Sequence, residues 1–358
     1  MVYNAGRTLG NAWGMTAAWV SLVAAIFAVP PHAAAGGLQD PPPPKFRSSV
    51  EVVTVSAVVK DRKGKFVRDL AEKDFIVSEA GQERKILDFR AETDGPVKLG
   101  LLVDASGSMR VADRAGEALA TARHLFSALR PDDQAALFSF DTRLDHVSDF
   151  TSDTAELEKS LTRLNPPFGQ TSLYDAIAEA AAFVANNGKR AGAGLPQRTA
   201  LVVLTDGVDT RSRLTTEQVA ATASRIDVPV YVIAVMSPID DPRVDAKPAL
   251  DVSGLQQLAR NTGGELFIAS APAHASVASR QIVDELRHQY VLAFEASMRA
   301  GWRPVEVRAR NQRLVVRART GYVAGQGDRS TPGLGSGIPS ANTRLSQPPR
   351  GVSCEQFN

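Results

Sequence analysis

The sequence predicts an α/β fold, a doubly wound and mostly parallel sheet with helices on both faces, inserted in a small β-sandwich-like domain. Three observations carry this. Between Val97 and Gln289, the apolar runs VKLGLLVD, QAALFSFD, RTALVVLTD, PVYVIAVM and GELFIAS alternate with stretches of helical periodicity. Continuous runs of this kind suit parallel strands covered on both faces, and repeated strand–helix units imply a doubly wound sheet. On either side the pattern changes to short alternating strands. Neither flank is long enough to bury a core alone, so the two are expected to pair with each other.

Taken in order, the chain begins with a basic residue, Arg7, and the apolar run TAAWVSLVAAIFAV (Thr16 to Val29), broken by Pro30-Pro31 and followed by Ala33-Ala34-Ala35. This is the layout of an export signal over residues 1–35. The run is shorter than the ~20 residues that span a bilayer. The uncharged stretch reaches back to Ala12, however, which leaves an uncleaved anchor as the alternative. Either way a secreted, periplasmic or cell-envelope location is expected, and no later hydrophobic run is long enough to span. DPPPPK marks a stiff linker over 36–45. The first β segment (46–93) holds the β-branched Val52, Val53, Val55 and Val58, with the turn signals DRKG and EAGQ.

The α/β body follows at 97–289. Ala118, Ala122, Leu125 and Leu129 give one helix its apolar stripe, and Asp153 caps the next. Further helices fall in TSLYDAIAEAAAFVANN, TTEQVAATASRI, SGLQQLARNTGG and AHASVASRQIVDELRHQ. The polar RLDHVSDF reads as an antiparallel edge strand. The second β segment, 290–323, places Val305, Val307 and Ala309 on one face and Glu306, Arg308 and Arg310 on the other. Gly, Pro, Ser and Arg then dominate 324–358, the composition of a disordered tail.

Composition excludes several classes. Of 358 residues, 44% are apolar and 22% charged, enough for a sizeable core. The net charge is only +2, which argues against a nucleic-acid binder. The local basic excess after Arg299 reads mainly as solvated strand faces. A single cysteine, Cys354, allows no intrachain disulfide and no cysteine-based metal site. The five histidines (His32, His124, His146, His274 and His288) lack metal-binding spacing.

The chemistry concentrates where the strands end. In an open α/β sheet, ligands bind beyond the carboxyl ends of strands at the point where strand order reverses. LGLLVDASGSMR brings Asp104, Ser106 and Ser108 to such an end, and TDGVD brings Asp206. The loop PPFGQTS carries Thr171. Two carboxylates and three hydroxyls form a hard, all-oxygen set suited to Mg²⁺ or Mn²⁺, less so to Ca²⁺. The alternation Asp-x-Ser-x-Ser turns three side chains inward, and Gly107 permits the tight backbone. Asp141, Asp175 and Asp209 are neighbouring acids. Asp175 falls in a first helical turn, where an acid is favoured, and capping is its simpler role beside an outer contact to a metal.

On these residues, Val97 to Gln289 resembles a von Willebrand factor A domain, and the site resembles its metal-ion-dependent adhesion site. All five members of that motif stand here: Asp104, Ser106, Ser108, Thr171 and Asp206. The signal and β flanks also look like exported bacterial proteins of the von Willebrand factor A-related type. The resemblance implies that the two serines and the threonine contact the ion, with the aspartates acting directly or through water. It further implies that a partner's carboxylate completes the shell.

Other readings fit less well. Aspartyl-phosphate phosphatases need an acid where Ser106 stands. DASGS puts Asp104 and Ser108 at the glycine positions of a hydrolase elbow. NNGKRAG has Phe183 where a phosphate loop needs glycine. Turn and cap roles without a metal remain the plain alternative for each residue taken singly. The expected function is therefore an exported, non-enzymatic module that recruits a carboxylate of a protein partner through its ion, with no nucleic-acid partner. A metal-dependent hydrolase and a structural subunit of an envelope assembly are the alternatives.

Overall fold

The computed structural model describes residues 52–93, 95–188, 198–236, 252–297 and 299–324. The signal segment, the linker, the tail from 325, His32 and Cys354 lie outside the described residues. Among the described residues, no helix is long and apolar enough to cross a membrane.

The first β segment forms β1 (Val52–Asp61), β2 (Phe75–Glu79), β3 (Gln82–Arg84) and β4 (Ile86–Thr93). The α/β body has six strands: β5 (Val97–Asp104), β6 (Gln134–Phe140), β7 (Leu144–Thr151), β8 (Arg198–Thr205), β9 (Val230–Val235) and β10 (Leu266–Ala269). Its helices are α1 (Arg114–Ser127), α2 (Thr154–Leu161), α3 (Leu173–Gly188), α4 (Thr216–Ile226), α5 (Val252–Thr262) and α6 (Pro272–Arg287). The second β segment supplies β11 (His288–Glu295), β12 (Gly301–Ala309), β13 (Leu314–Ala318) and β14 (Gly321–Ala324).

The six-stranded sheet has the order β10-β9-β8-β5-β6-β7, parallel except for β7, which runs antiparallel to β6 at the edge. This is the doubly wound α/β architecture. Period-two alternation divides the strand side chains between two cores. Leu99, Leu101 and Val103 of β5 face α1, α2 and α6, packing with Leu125, Phe126, Leu157 and Ile282. Leu102 faces the other way, toward α3, α4 and α5, with Ile177, Val184, Val219 and Leu258. Strand order reverses at β5, between β6 on one side and β8 on the other.

The flanking segments pair directly. β1 lies antiparallel between β11 and β13, and β12 lies antiparallel to β2. Two four-stranded sheets, β13-β1-β11-β4 and β14-β12-β2-β3, enclose a third core around Val55, Val77, Leu292, Phe294 and Val307. The described residues, 52–324, belong to one compact unit, because the sheets are fastened to the α/β body where its strands begin.

Arg317 of β13 bonds Glu285 of α6 and Glu265 just before β10. Lys60 of β1 reaches the same Glu285 at 2.6 Å. Arg319 bonds the Ser224 carbonyl and, at 2.5 Å, the Thr54 carbonyl. The Glu285 carboxyl is raised by burial, but Arg317 and Lys60 outweigh that and hold it below its ordinary range. The basic excess is therefore only partly solvated. Arg308, Arg310 and Arg313 are exposed, whereas Arg319 is buried and Arg317 is half-buried in the junction.

Candidate metal centre

β5 and β8 are parallel neighbours with Val103 opposite Leu204, so their last residues, Asp104 and Thr205, end side by side. The Thr205 hydroxyl donates to Oδ2 of Asp104 at 2.6 Å, and the Ser106 N–H donates to Oδ1 at 2.9 Å. The chain then curls so that Oγ of Ser106 and Oγ of Ser108 lie 3.1 Å apart. Asp206, one residue beyond β8, accepts the Val208 N–H on Oδ1 and an arginine, Arg114, on Oδ2 at 3.0 Å. Asp104, Ser106, Thr171 and Asp206 are all buried.

Backbone bonds lock three loops together. The Gly107 N–H donates to the Gly169 carbonyl at 3.0 Å, and the Phe168 N–H donates to the Ala105 carbonyl at 2.9 Å. Gly107 is required by this approach, since a Cβ there would stand 2.9 Å from the Gly169 oxygen. Thr171 in turn accepts the Thr210 and Arg211 N–H groups on its carbonyl, and its own N–H donates to Oγ1 of Thr210 at 3.0 Å. The structure thus joins the loops carrying all five sequence-selected residues. The contacts to Thr171 run through its backbone.

The neighbouring acids are engaged elsewhere. Asp209 accepts the Leu173 N–H at 2.9 Å and the Ser212 hydroxyl, and that hydroxyl accepts the Tyr174 N–H. The first turn of α3 is therefore capped from 36 residues away. Asp175 neither caps its own helix nor turns to the site. It accepts the Arg213 and Leu214 N–H groups and fastens the 212–214 loop. Burial raises its carboxyl, but these donors and the Arg213 guanidinium outweigh burial and lower it. Asp141 accepts the Thr142 and Arg143 N–H groups at the end of β6.

Two residues of the site escaped the sequence. Thr205 carried a signal, since it is the last residue of a buried strand and adjoins Asp206. Arg114 carried only a weak one, a cation in the first turn of α1 where it opposes the helix dipole; its burial and its partner 92 positions away emerge only in the fold.

The site as a whole is electrostatically tense. Burial pushes the Asp104 carboxyl up to about 6, although the Thr205 and Ser106 hydrogen bonds oppose the rise; nearby Asp206 adds to it. Among the described residues, no three His, Cys, Asp or Glu side chains gather. The donor set is two carboxylates plus hydroxyls, which fits a hard divalent ion and suits no soft one.

Fold and site together define an open α/β domain with a polar, oxygen-lined pole at its strand ends. Residues 99–208 match the family described as von Willebrand factor type A domain, and this stretch is a domain of that type. No curated protein matches the sequence. Among solved structures, an aerotolerance-related membrane protein from Bacteroides fragilis is 20% identical, with a TM-score of 0.43 over 53% of this chain and 98% of that one. BatB from Bacteroides thetaiotaomicron is 18% identical, with a TM-score of 0.42 over the same shares, 53% and 98%. A von Willebrand factor type A protein from Catenulispora acidiphila is 10% identical, with a TM-score of 0.43 over 78% of this chain and 76% of that one.

Proposed function

We propose that the protein is an exported, non-enzymatic binding module. Asp104, Ser106, Ser108, Thr171 and Asp206 would hold Mg²⁺ or Mn²⁺ at the strand-end pole, and an acidic group of a protein partner would bind there. The observation that carries this reading is the joining of two buried carboxylates and the serine hydroxyl pair by three loops locked through backbone bonds. A bound ion would supply the positive charge that an incoming carboxylate needs.

The chain's own residues prepare the place. Burial lowers the local dielectric response, so attraction for an anion is stronger than in water. Phe168, 75% exposed, stands beside the Asp-x-Ser-x-Ser loop on a backbone bonded to it, an apolar anchor of the kind protein interfaces use. Asp141, Asp175 and Asp209 each spend oxygens on backbone N–H groups, which favours binding over chemistry that needs a free general base.

Thr171→Ala tests the reading. It removes one neutral hydroxyl while keeping the backbone bonds of residue 171, so the fold should survive. Immobilised wild type should retain a partner from envelope extract in Mg²⁺ and release it in chelator, while Thr171→Ala should retain none. Hydrolysis of a phosphoester, peptide or glycoside substrate that vanishes in Thr171→Ala would overturn the non-enzymatic assignment.

A further inference from the structure

The unexpected feature of the pole is a cation built into it. Arg114 is the first residue of α1, and its side chain is 8% exposed. It has left water and opposes the helix dipole, two unfavourable terms. One nitrogen, Nη1, compensates both by donating to Oδ2 of Asp206 and to the Ser108 carbonyl, each at 3.0 Å. That nitrogen joins the loop after β5 to the loop after β8, touching two of the residues assigned to the ion.

We propose that Arg114 is a resident cation that holds Asp206 in place and offsets half the charge of the two-carboxylate set, so that the site binds a divalent ion weakly until an anionic partner arrives. This inference rests on the metal reading above. With Asp104 and Asp206 ionised and Arg114 charged, the empty pole carries −1 rather than −2. A divalent ion brings the sum to +1, and without Arg114 it would reach only zero. The guanidinium therefore works against the ion and in favour of the ligand anion. Ion and acidic partner become interdependent, which is a regulatory property of the pole rather than a further ligand. A nitrogen shared between the Asp206 carboxylate and a carbonyl also leaves Asp206 oriented when no ion is present.

Isothermal titration of the full chain with Mn²⁺ alone tests this on wild type, Arg114→Gln, Arg114→Lys and Asp104→Ala. Glutamine can still donate to Asp206 but is neutral, and lysine keeps the charge. The expected result is that Arg114→Gln tightens Mn²⁺ binding by about tenfold or more, as removal of a like charge a few ångströms away in a partly dehydrated site implies. Arg114→Lys should stay near wild type, and Asp104→Ala should not bind. Wild-type binding that is lost in Asp104→Ala but unchanged or weakened in Arg114→Gln would overturn the role of Arg114 and leave the metal reading intact. Absence of binding in both wild type and Arg114→Gln would overturn the metal reading, and this inference with it. If Arg114→Gln fails to fold, Arg114→Met serves as the neutral variant: tighter Mn²⁺ binding than wild type supports the charge effect, and unchanged or weaker binding overturns it.

Discussion

Thr205→Val is the most revealing single change at the pole. The substitution keeps shape and removes only the hydroxyl, which donates to Asp104 at 2.6 Å and accepts the Gly207 N–H at 2.9 Å, with no side-chain exposure to water. Losing a hydrogen bond to a charged group costs about 1.5–3 kcal/mol, and a buried unpaired N–H adds about 1–3 kcal/mol. Partial relaxation of the loop brings the expected total to about 2–4 kcal/mol. The hydroxyl also holds the Asp104 carboxyl down, so its removal pushes that carboxyl beyond its present value of about 6.

The sign follows from linkage. A carboxyl whose folded value exceeds its unfolded one takes up a proton more readily when folded, so ion-free stability is highest below the unfolded value and is lost as pH rises through about 6. For wild type that loss is about 3 kcal/mol at most. In Thr205→Val the window extends to higher pH. Urea denaturation followed by circular dichroism from pH 4.5 to 8, with Thr205→Ser as the hydroxyl-retaining control, measures both effects. A Thr205→Val protein with wild-type stability and an unshifted pH profile would refute the assignment of that hydroxyl to Asp104.

Gly107→Ala places a Cβ 2.9 Å from the Gly169 carbonyl oxygen. It should cost roughly 1–3 kcal/mol by overpacking and weaken Mn²⁺ binding, as denaturation and titration of the same preparation would show. Arg317→Met removes one of two cations on buried Glu285 and should destabilise by about 3 kcal/mol, the low end for breaking a buried pair, because Lys60 still pairs the carboxylate. Calorimetry should register a melting temperature lower by about 6–12 °C, with Mn²⁺ affinity unchanged because the junction lies at the opposite ends of the strands.

The sequence disclosed those parts of the molecule whose causes are local. Apolar runs such as ALVVL and the stripe of Ala118, Ala122 and Leu125 declare strands and a helix because each residue's neighbours in sequence decide its burial. The motif around Asp104 was legible for the same reason, with three side chains turned inward within five residues. What stayed hidden depends on partners far apart in the chain. Arg114 meets Asp206 across 92 positions, and Asp209 caps α3 across 36. Arg317 and Arg319 looked like the solvated half of an alternating strand because nothing near them announces Glu285 or the Ser224 carbonyl. Asp175 fell where a helix cap is expected, and its engagement with residues 213 and 214 is set by the loop that folds over it.

The measurement that bears most directly on the account is a thermal melt of the full chain, wild type against Asp104→Ala, with and without saturating Mn²⁺ or Mg²⁺. An ion that binds only the native state at a hundred times its dissociation constant stabilises by about 2.7 kcal/mol. Asp104→Ala removes a buried carboxylate, so its ion-free melting point can move by itself; the quantity that matters is the rise on adding metal. Wild type should show a rise, with one ion bound per chain, and Asp104→Ala should show none. An equal response of the two proteins to metal would contradict the metal assignment.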